Sequence, residues 1–277
     1  MKTIKIVMLL FLSITTTFAQ SKDEKKIMKE AMLLYNSEKT SWHGTDIFLE
    51  EYKELRSESG GYVSYSEGGK HHCIFYDKQE IPNVLIRFSF GDDFDLSNVK
   101  IEEDKRKTTE KELNLIAIKT IALNKIRTDT LFKHYQNANL NLVPIISKKE
   151  KKVYAITGPK VGGVVVLGND YLMTFNKKNK LKKIKSLHKN ILIYDTSDQE
   201  KNKDAMTMHT HLKSSGYMIS PVDICTLMLY EEISGWKQHI VVSKEKVSIF
   251  SIKDRNLLIM KRKAYDRMMK NINKNKL

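Results

Sequence analysis

Met206-Thr-Met-His-Thr-His-Leu-Lys-Ser-Ser-Gly-Tyr-Met-Ile-Ser-Pro-Val-Asp223 places two histidines, a serine and an aspartate within eighteen residues. Read as a strand from Ala205 to His211, the alternation sends His209 and His211 to one face. Met206 and Met208 are then expected in a core. Ser220 precedes Pro221 and the apolar run Ile224-Cys-Thr-Leu-Met-Leu-Tyr230, the pattern of an N-cap followed by proline at the first helical position. Asp223 falls in the first turn of that helix, and the eight residues between His211 and Ser220 are enough to fold it back towards the histidines. Two nitrogens and one oxygen would leave a fourth tetrahedral position open, which is the layout of a catalytic rather than a structural zinc site. The competing reading makes His209 and His211 polar residues at a strand end and Asp223 a partner of the helix dipole.

His-x-His, then Ser-x-x-Asp opening a helix, resembles the signature of the JAB/MPN/JAMM metalloproteases. Gln238-His-Ile-Val-Val-Ser243 and Val247-Ser-Ile-Phe-Ser-Ile252 resemble the strand pair that closes that fold. The likeness runs from about Thr109 to Met260. The spacer from His211 to Ser220 is one residue longer than the commonest family form, and Leu212 stands where proline is usual. The resemblance implies zinc held by His209, His211 and Asp223, with Ser220 helping to stabilise an oxyanion. It also implies a glutamate base upstream, and Glu150, before the strand Val153 to Gly158, is the one glutamate in that window. The implied activity is hydrolysis of an amide or isopeptide bond in a peptide or peptidoglycan-like substrate. Without a base in place, the alternative is a binding module that retains the fold and part of the metal site.

Composition frames these expectations. The chain has 277 residues, 41% of them apolar, enough for a sizeable core without a disulfide scaffold. Met1 to Ala19 joins Lys2 and Lys5 to the apolar centre Ile6 to Ile14, with Thr17-x-Ala19 before Gln20. This reads as a signal peptide too short to span a membrane, so the mature chain is expected to be exported to the periplasm or beyond. The formal charge of +15 favours anionic surfaces, but it lies in lysine runs such as Lys177 to Lys185 without a nucleic-acid motif. Nucleic acid is therefore not the expected partner. Cys73 and Cys225 are the two cysteines. An exported protein could pair them, although Cys225 on the helix after Ser220 reads more readily as a small buried residue.

The expected class is α+β, in two modules after the signal peptide at 1–19. Residues 20–104 should form two short helices, Ser21 to Leu34 and Asp46 to Leu55, then three strands at Gly60 to Tyr65, His72 to Tyr76 and Val84 to Phe90. Thr45 reads as a cap between those helices. Residues 105–277 should open with a capping box at Thr109-Glu-Lys-Glu112 and a long helix to about Tyr135. A curved mixed sheet follows, in which Gly168-Asn169-Asp170 reads as a hairpin turn between Val164 to Leu167 and Tyr171 to Phe175. Leu181 to Tyr194 reads as one strand, Thr196 to Asp204 as a polar loop, and Arg262 to about Ile272 as the last helix.

Overall fold

The computed structural model describes residues 20–274, so the signal peptide expected at 1–19 lies outside the described residues. The fold is α+β, an amino-terminal helix followed by several antiparallel sheets and further helices. Helix α1 (Lys22–Glu51) begins at a capping box between Ser21 and Glu24 and runs for 30 residues. It absorbs the first helix expected there, the segment Trp42 to Asp46 and the start of the second helix, whose end instead falls in a 3-10 turn, Lys53–Ser57. Thr45 is not a cap, because its hydroxyl donates to the Ser41 carbonyl one turn back at 2.8 Å. Gly44 explains how the helix survives its central glycine. A Cβ at Gly44 would lie 2.6 Å from the Cys73 Cβ, so the side-chain-free position lets α1 press directly on the sheet.

That sheet contains β1 (Ser59–Glu67), β2 (Lys70–Asp77), β3 (Asn83–Phe90) and β4 (Lys100–Glu102) in order, with the short β5 (Arg106–Lys107) also paired to β3. Helix α2 (Glu110–Thr128) follows, held by the expected capping box of Thr109 and Glu112. It stops at Thr128, short of Tyr135. The later strands divide among three sheets. Strands β6 (Ala138–Ile146), β7 (Lys151–Pro159), β9 (Tyr171–Phe175) and β10 (Leu181–Ser186) form one in the order β10-β9-β7-β6, while β8 (Val164–Gly168) pairs with β11 (Ile191–Asp195). The last contains β12 (Met206–Thr210), β13 (Gln238–Val242), β14 (Lys246–Ser251) and β15 (Asn256–Lys261) in sequence order, with β12 and β13 parallel. Helices α3 (Gln199–Asn202), α4 (Pro221–Leu229), α5 (Glu231–Ser234) and α6 (Arg262–Lys274) complete the chain.

Two expectations about connections need correcting. Gly168-Asn169-Asp170 is not a hairpin turn, since β8 and β9 belong to different sheets. Gly168 and Asn169 take φ of 94° and 57°, which swings the chain from one sheet to the other and leaves Asn169 and Asp170 buried. Leu181 to Tyr194 is likewise two strands in two sheets, and the bend between them carries His188.

One core cluster joins residues from both sides of Asp104. Leu34, Phe48 and Phe88 share it with Ile156, Ile224, Cys225 and Phe250, and α4 packs on α1 and β8. The two expected modules thus share a core, within which α1 serves as a common surface. Cys73 and Cys225 are both buried free thiols.

Candidate metal centre

Strand β12 lies at a sheet edge, with its Thr207/His209 face inward. Thr207 and His239 pair across the parallel ladder, and the Thr207 hydroxyl lies 2.7 Å from His239 Nδ1. His239 Nε2 in turn lies 2.7 Å from His209 Nδ1. By alternation Met206 and Met208 must face outward, and they are 67% and 56% exposed, which corrects the expectation that they enter a core. His211, just past the strand, remains in register because its N–H donates to the Val242 carbonyl.

At the start of α4, Ser220 and Asp223 form a reciprocal capping box. The Asp223 N–H donates to Ser220 Oγ at 3.1 Å, and the Ser220 N–H donates to Asp223 Oδ2 at 2.8 Å. This fixes the carboxylate where the loop from His211 returns. His211 Nε2 lies 3.5 Å from Asp223 Oδ2, and His188 Nε2 lies 3.6 Å from Asp223 Oδ1. His188, His211 and Asp223 each offer a donor atom, all within 4.8 Å of one another, and all three residues are buried. Ligands at 2.0–2.1 Å around a tetrahedral ion lie about 3.3 Å apart, so the donors would draw closer together on holding one.

His209 stands beside the trio, its ring centroid 4.8 Å from that of His211. The structure thus brings together His211 and Asp223 from the expected set, adds His188, and keeps His209 adjacent. His188 gave no signal in sequence because it sits in the bend between two strands that read as one.

The hydrogen bonds around the trio select its tautomers. His211 Nδ1 lies 3.0 Å from the Met218 carbonyl and therefore donates to it; His188 Nδ1 lies 2.8 Å from Asp170 Oδ2. Asp170 is itself held by the Thr157 N–H at 2.9 Å. With each Nδ1 so engaged, both Nε2 atoms face the shared Asp223 carboxylate, and both are buried without a hydrogen bond. Metal-binding imidazoles are oriented in this way, by a carboxylate or carbonyl on the nitrogen away from the ion. The donor set is therefore one that could hold a metal ion.

Electrostatics point the same way. Burial would raise the Asp223 carboxyl, but His188, His209 and His211, together with the Ser220 N–H, hold it well below the ordinary range. Burial lowers His188, yet Asp223 and Asp170 outweigh it and raise the ring to about 9. Burial lowers His209 to about 4 and His239 to about 3, and it also lowers His211. The trio is thus an anion facing one protonated ring and one neutral ring. A bound cation would take the place of the His188 proton.

Above the trio lies a cleft of about 400 Å³ bordered by Leu167, Leu192, Tyr194 and Leu212. Tyr194 crosses it to donate to the Met208 carbonyl at 3.0 Å. An ion held from below would therefore have one side open.

The two expected catalytic residues are not at this cleft. Glu150 occupies the turn between β6 and β7, exposed and paired with Lys152 at 2.7 Å, which lowers its pKa by hydrogen bonding. Neither Glu150 nor its partner Lys152 lines the cleft above the trio. Glu150 is thus an exposed member of the charge run Lys148 to Lys152 and is not among the residues over the histidines. Ser220 acts as the cap described above, and it lines a neighbouring cleft with Tyr217, Met218 and Lys152.

Comparison with protein-family models, curated proteins and solved structures returned no significant match for the chain.

Proposed function

We propose that this chain is an exported, zinc-dependent hydrolase of amide bonds, related in design to the JAMM metallopeptidases, with the metal held by His188, His211 and Asp223 and with His209 beside it. The observation that carries this reading is the pair of buried, unpartnered Nε2 atoms flanking Asp223 beneath an open cleft. Zinc, when bound, supplies Lewis acidity towards a carbonyl and lowers the pKa of water. Asp170 and the Met218 carbonyl orient His188 and His211, and Asp223 supplies the negative charge that retains a cation. The open border of the cleft accommodates an extended peptide or a stem peptide of an envelope polymer. Export rests on the signal-peptide pattern of Met1 to Ala19; among the described residues no helix is long and apolar enough to cross a membrane.

A second reading is favoured by a specific observation, the solvent position of Glu150. On it, the chain is a binding module that keeps a metal centre without hydrolysis. Metal analysis of the purified protein, with His188→Ala, His209→Ala and His211→Ala alongside, tests the centre. A screen of zinc-loaded protein against peptide and peptidoglycan substrates then separates the two readings. Zinc binding with no cleavage selects the binding module, and zinc content unaffected by all three substitutions removes both.

A further inference from the structure

A second cleft lies where the carboxy-terminal half of α4 meets α1. Its volume is about 250 Å³, and its lining includes Glu38, Trp42, Tyr62, Asn139, Asn141 and Tyr230. None of these residues belongs to the metal centre. Glu38 projects from α1 into this cleft with a single side-chain hydrogen bond, from the Asn141 amide at 3.5 Å. Lys119, the cation whose field acts on Glu38, is already engaged. Its ammonium donates to the Tyr62 carbonyl at 2.8 Å and sits over the Tyr62 ring, 3.7 Å from the centroid, reaching Glu38 only through its field. The carboxylate therefore keeps most of its acceptor capacity for an occupant of the cleft.

Aromatic faces border that carboxylate. The Trp42 and Tyr230 rings meet edge to face with centroids 5.5 Å apart, and Trp42 remains 38% exposed at the rim although it is among the costliest side chains to leave in water. A carboxylate beside aromatic rings is suited to a cationic nitrogen. The charge makes a strong hydrogen bond with the acid, and the polarised alkyl groups lie against the rings. We propose that this cleft binds the protonated amine of a small molecule or side chain, with Glu38 taking the ammonium and Trp42 and Tyr230 covering the adjoining methylenes. Burial raises the Glu38 carboxyl to about 7, against the opposing pull of Lys119 and the Asn141 hydrogen bond. The volume admits one short aminoalkyl group and excludes a folded partner.

The test is isothermal titration calorimetry of the exported chain with cadaverine, with N-acetylglucosamine as a neutral ring of comparable size. Cadaverine should bind, and Glu38→Gln should weaken it by about tenfold or more, the effect of losing one charge-assisted hydrogen bond. Trp42→Ala should weaken it as well, and Trp42→Phe should restore much of the loss. Circular dichroism establishes that each variant is folded; should Glu38→Gln fail to fold, the Trp42 pair carries the test alone. Three outcomes overturn the proposal: no binding of cadaverine by the native chain, equal binding after Glu38→Gln or after Trp42→Ala, or binding of the neutral sugar in place of the amine.

Discussion

Two buried polar clusters in this protein solve the same problem in opposite ways. Around Glu112, Arg106 donates from Nη1 to Oε2 at 2.8 Å and from Nη2 to Oε1 at 2.7 Å. The Tyr65 hydroxyl and the Thr109 N–H add one bond each, both at 2.7 Å, so every carboxylate oxygen has two donors. Around Asp223, by contrast, two imidazole nitrogens make no hydrogen bond at comparable burial and stand 3.5 and 3.6 Å from the carboxylate. An unpartnered buried polar atom costs about 1–3 kcal/mol, a penalty that the Glu112 network has removed within the protein. In the Asp223 cluster each Nδ1 is hydrogen-bonded, whereas each Nε2 has only a long approach to the carboxylate, and a ligand would supply the missing bond from outside. Completeness of hydrogen bonding thus separates a structural network from a candidate binding centre, where burial and residue type alone would not.

The largest expected effect breaks or upholds that contrast directly. Zinc at about a thousandfold over its Kd should raise the unfolding free energy of the native chain by about 4 kcal/mol. In His211→Ala the same addition should leave the thermal midpoint unchanged. Equal stabilisation of both proteins in a thermal melt would place the metal elsewhere.

Next in size is the closed network. Glu112→Gln leaves Arg106 with a weaker partner and should cost about 3 kcal/mol, measured by urea unfolding at neutral pH. The pH dependence has a defined sign. Burial would raise the Glu112 carboxyl, but Arg106, the Thr109 N–H and Tyr65 lower it to about 2 from an ordinary 4.5. Because the folded state holds its proton less tightly, the contribution is fully present above 4.5 and is lost as pH falls through 2. The acid limb of the stability curve should therefore be shallower in Glu112→Gln. An unchanged limb would mean that other carboxylates govern acid unfolding.

A smaller effect is expected from Asp170→Asn. The amide can still accept from the Thr157 N–H, but its NH₂ group then faces His188 Nδ1 and favours the tautomer that blocks Nε2. Metal affinity should fall by about 10–100-fold with little change in fold. Competition against a chromophoric chelator measures it, and unaltered affinity would take His188 out of the ligand set. The smallest effect belongs to Glu150→Gln, which should shift stability by no more than about 0.5 kcal/mol and leave zinc affinity as it was. A large loss of zinc in this variant would show that the β6–β7 turn reaches the cleft in solution.

Much of the local structure was legible in the chain. The capping box at Thr109, the cap at Ser220, three of the five strands of the first sheet, and the histidine alternation of β12 all follow from contacts within a few residues. Local chemistry also placed Asp223 in the first turn of α4. Thr45 misled, because a hydroxyl after a glycine reads as a cap until the sheet pressed against Gly44 is known. Asn169 and Asp170 misled for a related reason. Their sequence suits a solvated turn, whereas their side chains end up holding Lys133, Tyr171, Thr157 and His188.

The sequence by itself determined the α+β class, most element positions and two of the three clustered donors, because periodicity and capping act over one or two turns. Only the tertiary structure decided which face of β12 is buried, that His188 joins His211 and Asp223, that Glu150 remains in water, and that Glu38 meets Trp42 and Tyr230 in a cleft. Each of these depends on how separate sheets and helices are stacked. Residues from 38 to 230 meet through long-range packing, and the spacing of residue types along a chain does not encode the direction from which a distant element arrives.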